Sequence, residues 1–127
     1  MNNIIYARTN FEFLNKAFGT DYKGWPKCTW KYDEKTVVWM IEITGNVSKY
    51  GWKNFILDDG NTVCEEYVLP GDKIIPTHDK LHHFRRIIVK REKAYDRYII
   101  MGLYEYDFKH SIEESKRVWR KVSDEII

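Results

Sequence analysis

Cysteine, proline and glycine are scarce, with two, three and seven copies in 127 residues. The two cysteines, Cys28 and Cys64, have no metal-type spacing and leave two readings, one disulfide or a pair of free thiols, of which the second is favoured. Buried or half-buried thiols in a reducing compartment are therefore expected, with the cytoplasm as the address. No apolar run is long enough for a signal peptide or a membrane span, and the chain opens Met1-Asn2-Asn3-Ile4-Ile5-Tyr6-Ala7-Arg8, so no membrane partner is expected. Linkers, low-complexity stretches and internal repeats are missing too, which predicts one domain around one core. No Gly-rich phosphate loop, G-x-G-x-x-G or G-x-S-x-G pattern occurs, so nucleotide hydrolysis and acyl transfer lose their usual sequence support. Neither a catalytic residue nor a cofactor is expected, and the chain reads as a binding module rather than an enzyme.

What is abundant is aromatic and charged. Six Phe, nine Tyr and five Trp make up 16% of the chain, a content that suits the half-buried faces of pleated sheets. Charged residues are 31% and nearly cancel, to +2. Their distribution is uneven: Met1 to Asp79 carries nine basic and eleven acidic residues, Lys80 to Lys121 twelve basic and six acidic. The second half thus offers either a solvated surface or a basic face toward a polyanion.

The pattern predicts a mostly β chain. Asn3 to Arg8 is apolar enough for a strand, and Asn10 is placed to cap a helix to about Phe18 with Phe11, Leu14 and Phe18 on its buried side. Gly19 ends it. Asp21 to Asp33 reads as a loop that holds Tyr22, Trp25, Trp30 and Tyr32. Either those indoles fold back as lids on the core, or one flanks a ligand pocket. Thr36 to Thr44 is apolar on both faces and should be a central strand. Asp58-Asp59-Gly60-Asn61 supplies turn chemistry for a hairpin joining Asn54–Leu57 to Thr62–Val68, and a polar connection follows to about Leu81. A second hairpin joins Phe84–Val89 to Tyr98–Tyr106, with Ile100, Gly102, Tyr104 and Tyr106 on one face of its second arm. Gly102 marks a pocket floor or a strand bend. Ser111 with Glu114 makes a capping box for a last helix, while Arg117 to Val122 fits a helix or a strand.

Side chains that could do chemistry are few. His78, His82 and His83 lie near Asp79, but a metal site needs a firm helix and a third ligand, so His82 and His83 read as part of a basic rim beside Arg85 and Arg86. The consecutive pairs Asp58-Asp59 and Glu65-Glu66 are accounted for by a turn and by solubility. The remaining signal is aromatic and basic together. Trp25, Trp30, Tyr50, Trp52 and Tyr104 offer π-faces, Asn54 a polar edge, and Lys53, Arg85 and Arg86 cations for phosphate.

The runs Phe84-Arg85-Arg86-Ile87-Ile88-Val89, Tyr98-Ile99-Ile100-Met101-Gly102-Leu103-Tyr104 and Arg117-Val118-Trp119-Arg120-Lys121-Val122 resemble the end of small modules of the PUA-like superfamily, which includes SRA, EVE, ASCH and YTH-type domains and modules attached to bacterial restriction endonucleases. The resemblance implies an α+β fold: a curved mixed or barrel-like sheet of about five to six strands with one or two peripheral helices. It further implies a modified or flipped base held in an aromatic pocket, walled by Trp25, Trp30, Tyr50 and Trp52, with Asn54 reading the base edge and Arg85 and Arg86 contacting phosphate. Two functions are carried forward: a nucleic-acid reader of DNA or RNA in a defence setting, and a protein-binding or inhibitory module of a phage or mobile element that acts on a host enzyme through its aromatic surface.

Overall fold

The computed structural model describes residues 3–24, 27–48, 51–69, 73–75 and 83–125. Among the described residues, nine strands and two helices follow in the order β1 (Ile4–Tyr6), α1 (Asn10–Phe18), β2 (Thr29–Lys31), β3 (Thr36–Ile41), β4 (Trp52–Leu57), β5 (Thr62–Leu69), β6 (Lys73–Ile75), β7 (Arg85–Glu92), β8 (Arg97–Tyr106), α2 (Phe108–Glu114) and β9 (Arg117–Ser123). All nine strands join one mixed sheet in the order β2-β3-β7-β8-β9-β5-β4, with β1 added to β8 and β6 to β5. The α+β class stands. The sheet, however, is open and has nine strands rather than five to six.

Two of the additional strands are three-residue pieces that periodicity does not mark. β2 lies inside the stretch expected to be an aromatic loop, and β6 inside the expected polar connection. Each is held by antiparallel pairing to a longer neighbour, Trp30 opposite Val38 and Val68 opposite Ile74, so tertiary pairing makes a strand where the local pattern does not.

β3 is buried at all six positions and runs parallel to β7, which explains its apolar character on both faces. It is nevertheless one strand in from the edge, not central; the middle of the sheet is β8. The chain between β3 and β7 holds β4, β5 and β6, so the crossover of this parallel pair builds the far half of the sheet.

α1 is capped one residue earlier than expected. The Thr9 hydroxyl accepts from the Glu12 amide at 3.2 Å, while Asn10 instead donates to the Lys27 carbonyl and accepts from the Tyr98 hydroxyl. Its fully buried residues are Phe13 and Leu14, with Phe11 and Phe18 only half-buried; Phe13 stacks on Tyr98 at 4.7 Å between centroids. Gly19 ends the helix at φ 70°. α2 starts at Asp107, whose carboxylate accepts from the His110 amide, so Ser111 is not a cap. The Ser111 hydroxyl lies inside the structure and accepts from Val118 N at 2.9 Å. After Ser115 in the left-handed region, Arg117–Ser123 is a strand paired on both sides, with β8 and with β5.

The sheet packs a cluster on each face. On the α1 side lie Phe13, Leu14, Val38, Met40, Ile87, Val89, Tyr98, Ile100 and Leu103. On the other lie Trp39, Ile41, Val63, Ile88, Tyr104, Tyr106 and Trp119, with Ile56 and Met101 packed against them. In β8 the side chains change faces along the strand: Ile100 and Leu103 share one cluster, Met101 and Tyr104 the other. The register with β7 skips one β8 residue, Met101, since Val89 lies opposite Ile100 and Ile88 opposite Gly102, the latter at φ 138°. A β-bulge inserts one residue and inverts the alternation, so Ile100 and Tyr104 do not share a face as simple period-two counting requires. Gly102 is therefore a bend under close backbone contact: a Cβ there would sit 2.5 Å from the Ser123 carbonyl oxygen.

Candidate functional site

The face opposite α1 concentrates the polar and aromatic chemistry. The hairpin register puts Trp52 opposite Tyr67, Asn54 opposite Glu65, and Ile56 opposite Val63 on β4 and β5. Directly paired residues point the same way, so these six side chains share one face, and Ile56 and Val63 identify it as the face of the Trp39–Trp119 cluster. On β9, Arg117 lies opposite Glu65 and Trp119 opposite Val63. Across β8 and β7 the row continues with Tyr106, Tyr104 and Arg86, and on β3 with Trp39.

At the middle of the row is a charged cluster. Arg86 and Glu65 are each 6% exposed, and Arg86 Nη1 donates to Glu65 Oε1 at 3.0 Å. Arg117 Nη1 reaches the same oxygen at 3.2 Å and the Trp119 indole N–H at 3.4 Å. The Arg86 guanidinium lies over two indoles, 4.4 Å from the Trp39 ring centroid and 4.1 Å from that of Trp119. Burial pulls the Arg86 pKa down from its ordinary value, and the facing Glu65 carboxylate opposes that shift. Burial also raises the phenols above them, Tyr106 upward and Tyr104 to about 12. The Tyr104 hydroxyl donates to the Gly60 carbonyl.

Beside this cluster the face becomes a ring platform. Trp52 and Tyr67 lie 5.1 Å apart between centroids, and the Arg117 guanidinium is 5.1 Å from the Trp52 centroid. Next to them, Asn54 Oδ1 is sealed from solvent and, among the described residues, receives no donor; Arg86 Nε likewise finds no acceptor. A buried acceptor without a donor costs about 1–3 kcal/mol, which a ligand N–H or O–H at that position would recover.

The residues singled out in the sequence are distributed unevenly over this geometry. Trp52 and Asn54 come together on the row, and Tyr104 and Arg86 belong to its buried middle, where Arg86 lies beneath rings and is engaged by Glu65. Trp30 is on the opposite face, packed against Phe18 and donating its indole N–H to the Tyr22 hydroxyl at 2.8 Å. Lys53 points away from Asn54, with Nζ 5.6 Å from the Phe55 ring. Arg85, at the start of β7, is half-buried and 3.9 Å from Glu105. Trp25 and Tyr50 lie outside the described residues, as do His78 and His82. Among the described residues no three His, Cys, Asp or Glu side chains converge as a metal site, and no helix is long and apolar enough to cross a membrane. Cys28 is exposed and Cys64 buried; both are free thiols, so the pair is not uniformly buried as expected.

Sequence reading passed over Glu65, Tyr67, Arg117, Trp39 and Trp119. Glu65 was legible in principle. The turn at Asp58–Asn61 sets Leu57 opposite Thr62, and counting back along the hairpin brings Glu65 opposite Asn54, whereas reading Glu65-Glu66 as a solvated pair ignores that register.

The family model described as "SET and RING associated domain" (SRA) matches residues 1–127. Among solved structures, the protein titled "The 5-Hydroxymethylcytosine-Specific Restriction Enzyme AbaSI" is similar with a TM-score of 0.61 and 22% identity. The match covers 96% of this chain and 41% of that one, so this chain spans well under half of it, and at such identity the likeness shows a shared fold. No curated protein matches.

Proposed function

We propose a function from one premise: the chain belongs to the SET and RING associated domain family. It is a nucleic-acid-binding module that holds a modified base, a cytosine substituted at its 5-position, on the row formed by β4, β5 and β9. The observation that carries this reading is the meeting of a ring platform with two acceptors. Trp52 and Tyr67 offer a π-surface for the base, and Asn54 Oδ1 and the Glu65 carboxylate stand directly opposite each other beside it. Two adjacent acceptors call for a ligand edge rich in donors. Cytosine offers its exocyclic amine, and a 5-hydroxymethyl group adds a hydroxyl next to it. The solved protein with this fold is named for that base, which agrees with the chemistry of the acceptor pair. A base inside a duplex cannot reach a sheet face, so it is extracted from the stack, and stacking worth about 1–3 kcal/mol per base helps offset that cost. Lys53 and Arg85 serve as phosphate contacts outside the row, and add a salt-dependent, sequence-independent share of the affinity.

The test is fluorescence anisotropy with duplexes that differ at one position, carrying cytosine, 5-methylcytosine or 5-hydroxymethylcytosine, at two salt concentrations. The modified duplex binds more tightly at both, and Asn54→Ala lowers that preference about tenfold. Equal binding of all three duplexes by the unaltered protein overturns the reading.

A further inference from the structure

A guanidinium that is 6% exposed and packed on two indoles is a poor way to add stability, since a buried ion pair can commonly be exchanged for apolar side chains of similar volume at little cost. Its geometry suggests another use. Three donors from two strands converge on Glu65 Oε1: Arg86 Nη1 from β7, and Arg117 Nη1 and the Trp119 indole from β9. Among the described residues, Oε2 receives no hydrogen bond. A carboxylate held by three donors at one oxygen cannot rotate freely about its last bond, so the second oxygen keeps a fixed direction. Arg86 is the member of the trio packed on two indoles, with its guanidinium 4.4 Å from the Trp39 centroid and 4.1 Å from that of Trp119, and this holds its position.

We propose that Arg86 is a positioning residue which, gripped by Trp39 and Trp119, turns Glu65 so that one carboxylate oxygen is committed to the protein and the other is presented, beside Asn54, to the donor edge of the base. This role rests on the base-reading function above and deepens it. Arg86 touches no base; it acts through Glu65, and what it supplies is discrimination between bases rather than overall affinity for the duplex.

The experiment is a double-mutant cycle on the discrimination ratio, the dissociation constant for a cytosine duplex divided by that for a 5-hydroxymethylcytosine duplex. It uses the full chain with Arg86→Met, Glu65→Gln and the double variant, each checked for cooperative thermal unfolding. Arg86→Met lowers the ratio about tenfold, and in the Glu65→Gln background the same substitution changes the ratio no further. Arg86→Lys, which keeps the cation but loses the planar fork, restores the ratio only in part. Should Arg86→Met fail to fold, Arg86→Lys carries the cycle: a reduced ratio that vanishes in the Glu65→Gln background supports the role. A ratio unchanged by either substitution at Arg86, or lowered equally with and without the Glu65 carboxylate, overturns the role and leaves base reading intact. An unaltered protein with a ratio of one refutes base reading, and this role with it.

Discussion

Replacing Gly102 with alanine perturbs the fold at the point where β8 exchanges its faces. The backbone there has φ 138°, a conformation that L-residues adopt at a cost of about 1–3 kcal/mol. The new methyl group would also lie 2.5 Å from the Ser123 carbonyl oxygen and 3.4 Å from Asp124 Cα. Both are backbone atoms of the chain crossing β8, so relief requires β9 to move, at about 1–3 kcal/mol for an overpacked site. Together these amount to about 4 kcal/mol. For a domain of 127 residues that lowers Tm by roughly 15 °C. The assay is thermal unfolding followed by circular dichroism, with Gly24→Ala as the control. A Cβ at Gly24 meets nothing within 4 Å, so that variant stays within about 0.5 kcal/mol of the parent. If Gly102→Ala unfolds at the same temperature as Gly24→Ala, the close approach of the Ser123–Asp124 backbone to Gly102 is refuted, and with it the reason for glycine at this position.

Further expectations follow from other parts of the molecule. Cys28 is exposed whereas burial pushes the Cys64 thiol up to about 11, so a thiol reagent at pH 8 labels one cysteine rapidly and the second only on unfolding; equal labelling rates would contradict this. Burial raises the Asp107 carboxyl, but the His110 amide and the Arg120 guanidinium outweigh it, and the net shift is downward from 3.8. A group depressed on folding stabilises above its unfolded pKa and loses that contribution as pH falls through its folded value. Stability therefore declines below about pH 4, and Asp107→Asn flattens part of that decline in an acid titration of Tm. Asp107→Ala, which removes the α2 cap as well, costs about 1 kcal/mol in denaturant unfolding at neutral pH, and no loss would refute the cap.

The main elements were legible because they rest on local rules. The apolar run in β3, the turn residues at Asp58–Asn61, the left-handed Gly19 and the apolar run Ile87–Val89 in β7 each fix an element without reference to the rest of the chain. What escaped was non-local. β2 and β6 exist because a neighbouring strand pairs with them, and β9 is a strand because β5 and β8 pair with it from both sides, although its own pattern fits either state. Face assignment failed in β8 for a similar reason. A bulge at Met101 shifts the count by one, and it exists only in the pairing with β7, which the sequence of β8 alone does not carry.

The site was partly legible for the same cause. Trp52 and Asn54 were found by residue type, and the register of one hairpin brings them side by side. Trp30 has the same chemistry but belongs to β2 and faces α1, and nothing in its neighbourhood in sequence separates it from Trp52. Glu65 gains its meaning only from Arg86 and Arg117, which reach it from β7 and β9. An acidic residue on a strand is ordinarily solvated; two arginines converging on one oxygen make it a fixed acceptor instead.

The central claim is that a base is received on the Trp52–Asn54 face, and side-chain nitrogen–proton NMR spectra measure it most directly. On titration with a duplex carrying one 5-hydroxymethylcytosine, the Trp52 indole and the Asn54 amide signals shift together, while the Trp30 indole, hydrogen-bonded to Tyr22 on the other face, stays in place. Movement of the Trp30 signal with the Trp52 and Asn54 signals unchanged would contradict the account.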